Sequence, residues 1–215
     1  MPSDLARQIY DNLLESLYTG AIKPGDLINR REIARSCSVS VTPVLEALTR
    51  LEMEGFLETL PRRGTRIRPI TVQLLCDSFM LRDALEVKAA RLYYRSIVGE
   101  TEQELLEEAE SVDSAAAENF DDWKVEIDFH RRLVTLAESA ALLNAYSQHM
   151  HLFLFYGMRK IIPVTRQIPR DNHARLIREL AACGSADEAG GIIRAHVWYG
   201  KEYILEATGR TVAEL

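Results

Sequence analysis

Apolar residues recur in pairs every four positions at the start of the chain, at 5, 6, 9, 10, 13, 14, 17 and 18 of "LARQIYDNLLESLY". That spacing predicts a helix with one buried stripe, ended by Gly20. "IKPGDLI" reads as a turn and a short extended piece. Asn29 with Glu32 then makes a capping-box-like start for a helix through "REIARSC". After a break at "SVS" a further helix begins, capped by Ser40 or Thr42, with Pro43 in its first turn where a missing N–H costs nothing. Its buried side is Val44, Ala47, Leu48 and Leu51, and "EG" at 54 and 55 stops it. "FLETL" and "TRIRPI" are short β-type runs joined by "PRRG", which reads as a hairpin. Helix, short strand, helix, turn, helix and hairpin in this order make a winged helix-turn-helix.

From Thr71 onward the pattern is helical throughout, with helices expected near 71–97, 101–117, 121–138, 140–161, 168–183 and 185–208. Breaks fall near Gly99, Asn119, Ser139, Pro163 and Gly184. The fold class expected is therefore mostly α: a DNA-binding-type winged helix over 1–70 with a small β-hairpin wing, then an all-α antiparallel bundle over 71–215. Composition agrees, since hydrophobic residues make up 47% of the 215 and Gly and Pro number only 11 and 7. No apolar run reaches the roughly 20 residues that span a bilayer, and the amphipathic start lacks the features of a signal peptide. A cytoplasmic protein without a membrane partner is expected. Cys37, Cys76 and Cys183 are odd in number and far apart, so small buried thiols are expected rather than a disulfide framework.

Charge changes the picture once the chain is divided. The whole carries −6, but residues 1–70 hold 10 Arg and Lys against 9 Asp and Glu, while the remainder holds 16 against 23. The acidity belongs to the second part, and the first is free to meet a polyanion through a local basic patch. Arg62, Arg63, Arg66 and Arg68 cluster in "PRRGTRIR", and Gly64 permits a tight tip able to approach a minor groove. Solvated surface arginines are the plainer reading. In the second part, Glu126 and His130 lie four apart on one helix face, where a carboxylate and an imidazole can grip one cation. His173 and His196 fall on later helices, and no periodicity brings the four together.

The stretch "LINRREIARSCSVSVTPVLEALTRLEMEGFLETLPRRGTRI", with "LRDALEVKAARL", "EIDFHRRL", "HARLIREL" and "IIRAHV", resembles the GntR family of bacterial transcription regulators, in its FadR-like branch with a helical FCD ligand-binding domain. The resemblance implies a dimeric, ligand-responsive regulator of double-stranded operator DNA, and the two-fold symmetry of such sites agrees with a homodimer. It implies DNA contacts from Arg31 and Arg50, and from the positions of Val41 and Leu45, where the family has arginines and this chain has aliphatic side chains. Val41, Thr42, Leu45 and Thr49 share the face opposite the buried stripe; Val41 and Leu45 either touch thymine methyls, or are idle and leave specificity to Thr42, Thr49 and DNA shape, or mark a surface that has lost DNA binding or meets another protein. For Arg50 a pair with Glu46 is the alternative.

In the helical part the resemblance brings Glu126, His130, His173 and His196 together around a divalent metal, with Glu126 replacing the usual Asp. Three imidazoles and a carboxylate suit Zn, Ni, Fe or Mn better than Ca or Mg. Arg82 matches an arginine that pairs with the carboxylate of a small organic acid effector; its alternative is a pair with Glu86 four residues on. Two other functions stay open: a metal-dependent hydrolase or lyase built on the bundle, and a regulator whose metal is structural.

Overall fold

The computed structural model describes the backbone of residues 4–115, 120–158 and 172–208. Contacts divide the chain into two compact units, Met1–Thr71 and Val72–Leu215. The first contains α1 (Asp4–Thr19), β1 (Leu27–Ile28), α2 (Arg30–Ser36), α3 (Val41–Met53), β2 (Leu57–Leu60) and β3 (Gly64–Ile67). Its antiparallel sheet has the order β1-β3-β2, with Glu58 opposite Arg66 and Leu60 opposite Gly64. Ile9, Leu13 and Leu17 of α1 and Val44, Leu48 and Leu51 of α3 close the core with Phe56 and Ile67. Asn29 caps α2, its Oδ1 accepting from the Arg31 and Glu32 N–H groups at 3.1 and 3.3 Å.

The turn between α2 and α3 has a definite mechanism. The Val39 N–H bonds back to the Ala34 carbonyl at 3.0 Å and the Ser38 N–H to that of Arg35 at 3.2 Å, with Ser38 at φ +55°. This is a Schellman ending with a serine in the left-handed position that glycine usually fills. α3 ends the same way around Gly55 at φ +88°, with Phe56 N–H bonded to Leu51 O at 2.9 Å and Gly55 N–H to Glu52 O at 3.0 Å.

The second unit is helical throughout its described residues: α4 (Val72–Tyr93), α5 (Glu100–Ser114), α6 (Phe120–Thr135), α7 (Ala140–Met158), α8 (Asn172–Ala182) and α9 (Ala186–Thr208). α4 packs along α9 and against α6 and α7, while α5 lies against α8 and α6. The α4–α9 seam is close at Gly190, where an added Cβ would stand 3.0 Å from Arg91 Nε and 3.3 Å from Val87 Cγ1. Asp83 of α4 accepts from Trp198 Nε1 at 3.0 Å and Arg194 Nε at 3.2 Å across it.

Three helix ends differ from the expected ones, and the first is α5, which stops at Ser114 rather than 117 with Ala115 already extended. α4 stops at Tyr93 rather than 97, because the chain leaves helical register to bury Ile97 (0% exposed) before Gly99 turns at φ +57°. α6 stops at Thr135, and Glu138 takes φ +50° ahead of α7. The expected helical stretches 159–161 and 168–171, and the breaks near Asn119 and Pro163, lie outside the described residues. All three cysteines are free thiols, but only Cys76 is buried as expected: Cys183 is half-buried, and Cys37 is exposed at the end of α2. Among the described residues no helix is long and apolar enough to cross a membrane.

Candidate DNA interface and buried histidine centre

On the first unit, a groove of about 850 Å³ runs between the start of α2, the outer face of α3 and the wing. It brings together Arg30, Arg31, Leu45, Thr49, Arg62, Arg63 and Gly64. Val41 and Thr42 are exposed on the first turn of α3, Val41 at 37%. The wing tip is shaped by Arg62 at φ +63° and Gly64 at φ +93°, which closes a short turn and leaves both Arg62 and Arg63 exposed. Arg66 is committed elsewhere, to Glu58 directly opposite on the neighbouring strand. Arg50 pairs with Glu54 at 2.9 Å, and the Tyr10 hydroxyl donates to the same carboxylate and fixes it. The Arg50 guanidinium lies 3.6 Å over the Tyr10 ring, a cation–π contact.

In the second unit His130 (α6), His173 (α8) and His196 (α9) converge, each offering a ring nitrogen within 4.8 Å of the others. His130 Nε2 and His196 Nε2 are 3.4 Å apart. Glu126, one turn before His130, places Oε1 3.5 Å from His130 Nε2 and Oε2 3.2 Å from His173 Nε2. Phe129 stands edge-on to the His130 and His173 rings, with centroids 5.3 Å away in both cases, and supplies an apolar wall.

Two of the three histidines are oriented from behind by carboxylates. His130 Nδ1 donates to Glu86 Oε2 at 2.9 Å, leaving Nε2 to face the cluster. Glu86 Oε1 is held in turn by Arg82 Nε and by the Tyr146 hydroxyl at 3.1 Å. Burial alone would raise the Glu86 carboxyl, but Arg82 first and His130 next outweigh it and keep it ionised. Arg82 is thus placed in the i, i+4 pair with Glu86, buried to 5% exposure, behind His130. His173 Nδ1 donates to Asp113 Oδ1 at 2.8 Å, and the same carboxylate accepts from the His173 and Ala174 main-chain N–H groups at the start of α8. Asp113 of α5 therefore caps a helix 60 residues away, satisfying N–H groups that have no partner within α8.

The electrostatics divide the three rings. Burial pulls the His173 imidazolium down, but Glu126 and then Asp113 overcome it and raise the group to about 9. His196 moves the other way, held neutral first by burial and then by His130 and His173. Glu126 stays ionised because His173 and His130 outweigh its own burial.

A metal suits these residues on two observations. Ligands held roughly 2.0–2.1 Å from a tetrahedral zinc stand about 3.3–3.4 Å apart, close to the 3.2, 3.4 and 3.5 Å spacings among Glu126, His130, His173 and His196. In addition, the buried His173 Nε2 makes no hydrogen bond despite its approach to Glu126, the arrangement left when both atoms aim at a common point. Of the other candidates, His149 bonds the Ser78 carbonyl at 2.8 Å, Asp128 faces outward to Lys124 and Arg131, and the His151 side chain lies outside the described residues.

Glu86, Asp113, Tyr146 and Phe129 were not singled out by the sequence as parts of this site. Glu86 had a signal, its place four residues after Arg82. Asp113 had none, since its partners lie in a distant helix.

The model of the bacterial regulatory proteins, gntR family, matches residues 5–67, and that of the FCD domain matches residues 77–198. This chain belongs to the GntR family. The regulator is 34% identical over 200 residues to the Nta operon transcriptional regulator of Aminobacter aminovorans, covering 90% of this chain and 91% of that one. It is 25% identical over 136 residues to the HTH-type transcriptional repressor RspR of Escherichia coli, covering 61% and 59%. Among solved structures, E. coli McbR/YncC has the same fold, with a TM-score of 0.70 at 19% identity over 96% of this chain and 99% of that one. Membership makes the chain a DNA-binding transcription regulator with a small-molecule-binding FCD domain, and the hydrolase or lyase alternative falls with it.

Proposed function

We propose that residues 1–70 bind a palindromic operator as part of a homodimer, and that residues 71–215 set the affinity according to a small organic acid bound beside a metal. The observation that carries the effector half is the cluster of three imidazoles, two of them buried, and one ionised carboxylate, with the His173 Nε2 left without a hydrogen bond. Glu126, His130, His173 and His196 would hold a Zn, Ni, Fe or Mn ion. When bound, such an ion supplies a Lewis-acidic point for an effector carboxylate. The chain's own contribution is orientation: Glu86 and Asp113 fix two of the rings, and Arg82 keeps Glu86 charged. The net −7 of this part argues that a carboxylate effector needs local positive charge to enter.

On the DNA side, Arg31, Arg62 and Arg63 are proposed to hold phosphates, Gly64 to let the wing tip approach the minor groove, and Val41, Thr42, Leu45 and Thr49 to face the bases. Arg50, held by Glu54 and Tyr10, is positioned at the edge of the same face.

The test combines metal analysis with operator binding. Protein purified without chelator should contain about one transition-metal ion per chain, and His130→Ala should lose it. In that variant a panel of short mono-, di- and tricarboxylic acids should no longer alter DNA affinity, while basal binding persists. A second reading has its own support: His130 is 0% exposed and His173 5%, as in structural sites. It gains if chelation lowers the melting temperature but leaves a carboxylic acid response intact.

A further inference from the structure

The DNA-facing side of α3 carries methyl groups where a base-reading helix often carries charge. Val41, Thr42, Leu45 and Thr49 are all exposed, Val41 at 37% and Leu45 at 40%, while Val44, Ala47, Leu48 and Leu51 on the opposite side are no more than 7% exposed. The aliphatic pair is therefore not surplus core. Arg50 is the one cation of α3, and it is engaged by Glu54 at 2.9 Å and by the Tyr10 ring at 3.6 Å. Around Leu45 and Thr49 the groove is lined by Arg30, Arg31, Arg62 and Arg63, charges complementary to phosphates, and by the polar Glu52 and Thr59, so that its aliphatic floor is local to Leu45 and Leu48.

Base chemistry decides what such a floor can read. Guanine, adenine and cytosine present hydrogen-bonding groups in the major groove that lose water against an aliphatic side chain and gain no partner. Thymine alone presents a C5-methyl group, which gains from the contact. We infer that α3 reads thymine methyls, so that each operator half-site carries A·T pairs at the steps facing Val41 and Leu45. This rests on the proposal that the groove binds DNA.

The experiment needs no knowledge of the natural operator. Full-length protein selects duplexes from a random-sequence library, and the enriched duplex is resynthesised with deoxyuridine in place of thymine, which removes only the methyl. Each methyl lost at a contacted step should weaken binding about fourfold, the factor equivalent to about 0.8 kcal/mol for one buried carbon. The salt dependence should not change, because the phosphate contacts remain. A Val41→Ala, Leu45→Ala variant should bind the thymine and uracil duplexes equally; both positions are exposed, so its melting temperature should match the parent's. Equal affinity of the parent protein for the two duplexes, or enrichment of G·C pairs at the central steps of each half-site, would overturn the inference while leaving DNA binding intact. Absence of salt-sensitive binding to any duplex would instead overturn the DNA-groove reading beneath it.

Discussion

Ser38 and Gly55 end α2 and α3 with the same pair of hydrogen bonds, yet only one of them is glycine. A side chain in the left-handed region costs on the order of 1 kcal/mol. Ser38→Gly should therefore stabilise the winged helix by roughly half to 1 kcal/mol, and Gly55→Ala should destabilise it by about 1 kcal/mol, both read from urea unfolding. His173 gives a pH prediction. Its folded value of about 9 lies above the ordinary 6.5, so the protonated ring stabilises the chelator-treated protein fully below pH 6.5, and that contribution is lost as pH rises towards and through 9. Melting temperatures of the metal-free protein should fall across this window, and His173→Gln should flatten the fall. Metal affinity should rise over the same range, since the ion competes with the proton. At this scale the sequence named the four clustered residues only through a resemblance. Helical spacing shows that Glu126 and His130 share a face, but nothing local tells which distant helix returns to meet it. For the same reason Asp113 stayed hidden: its role depends on α8 beginning beside the last turn of α5.

Elements were far more legible, because a buried stripe of period 3.6 is written into every amphipathic helix. The order of winged helix and bundle followed from it, as did the hairpin from "PRRG". Among the helix ends that differ from expectation, Tyr93 and Thr135 are places where burial of a later residue or a backbone turn overrode local propensity, while α5 ends at Ser114 as Ala115 turns extended. α9 shows how packing sorts two neighbouring glycines that look alike in sequence. A side chain at Gly190 would press on Arg91 and Val87 of α4, whereas Gly191 faces open space. Gly190→Val should cost about 1–3 kcal/mol through overpacking of the seam. Gly191→Ala should stabilise by up to about 1 kcal/mol through helix propensity. Chemical denaturation followed by circular dichroism distinguishes the two.

As a whole the molecule consists of two units with separate cores, so its unfolding need not be two-state. Calorimetry should resolve two transitions. Added Zn or Ni should raise only that of the helical unit, by an amount equivalent to about 2.7 kcal/mol at a hundred times the dissociation constant. A shift of the other transition would mean that the ion binds away from His130, His173 and His196. The uneven charge, near neutral in one part and acidic in the other, makes the first part responsible for the attraction to DNA.

Asp113 joins chemistry to mechanics. One carboxylate grips the His173 ring and the first main-chain amides of α8, so the ring and the helix end are clamped at the same point on α5. Under the proposed metal-bound reading, a displacement of the imidazole would therefore reach the first turn of α8 through this shared carboxylate instead of being absorbed by side-chain rotation.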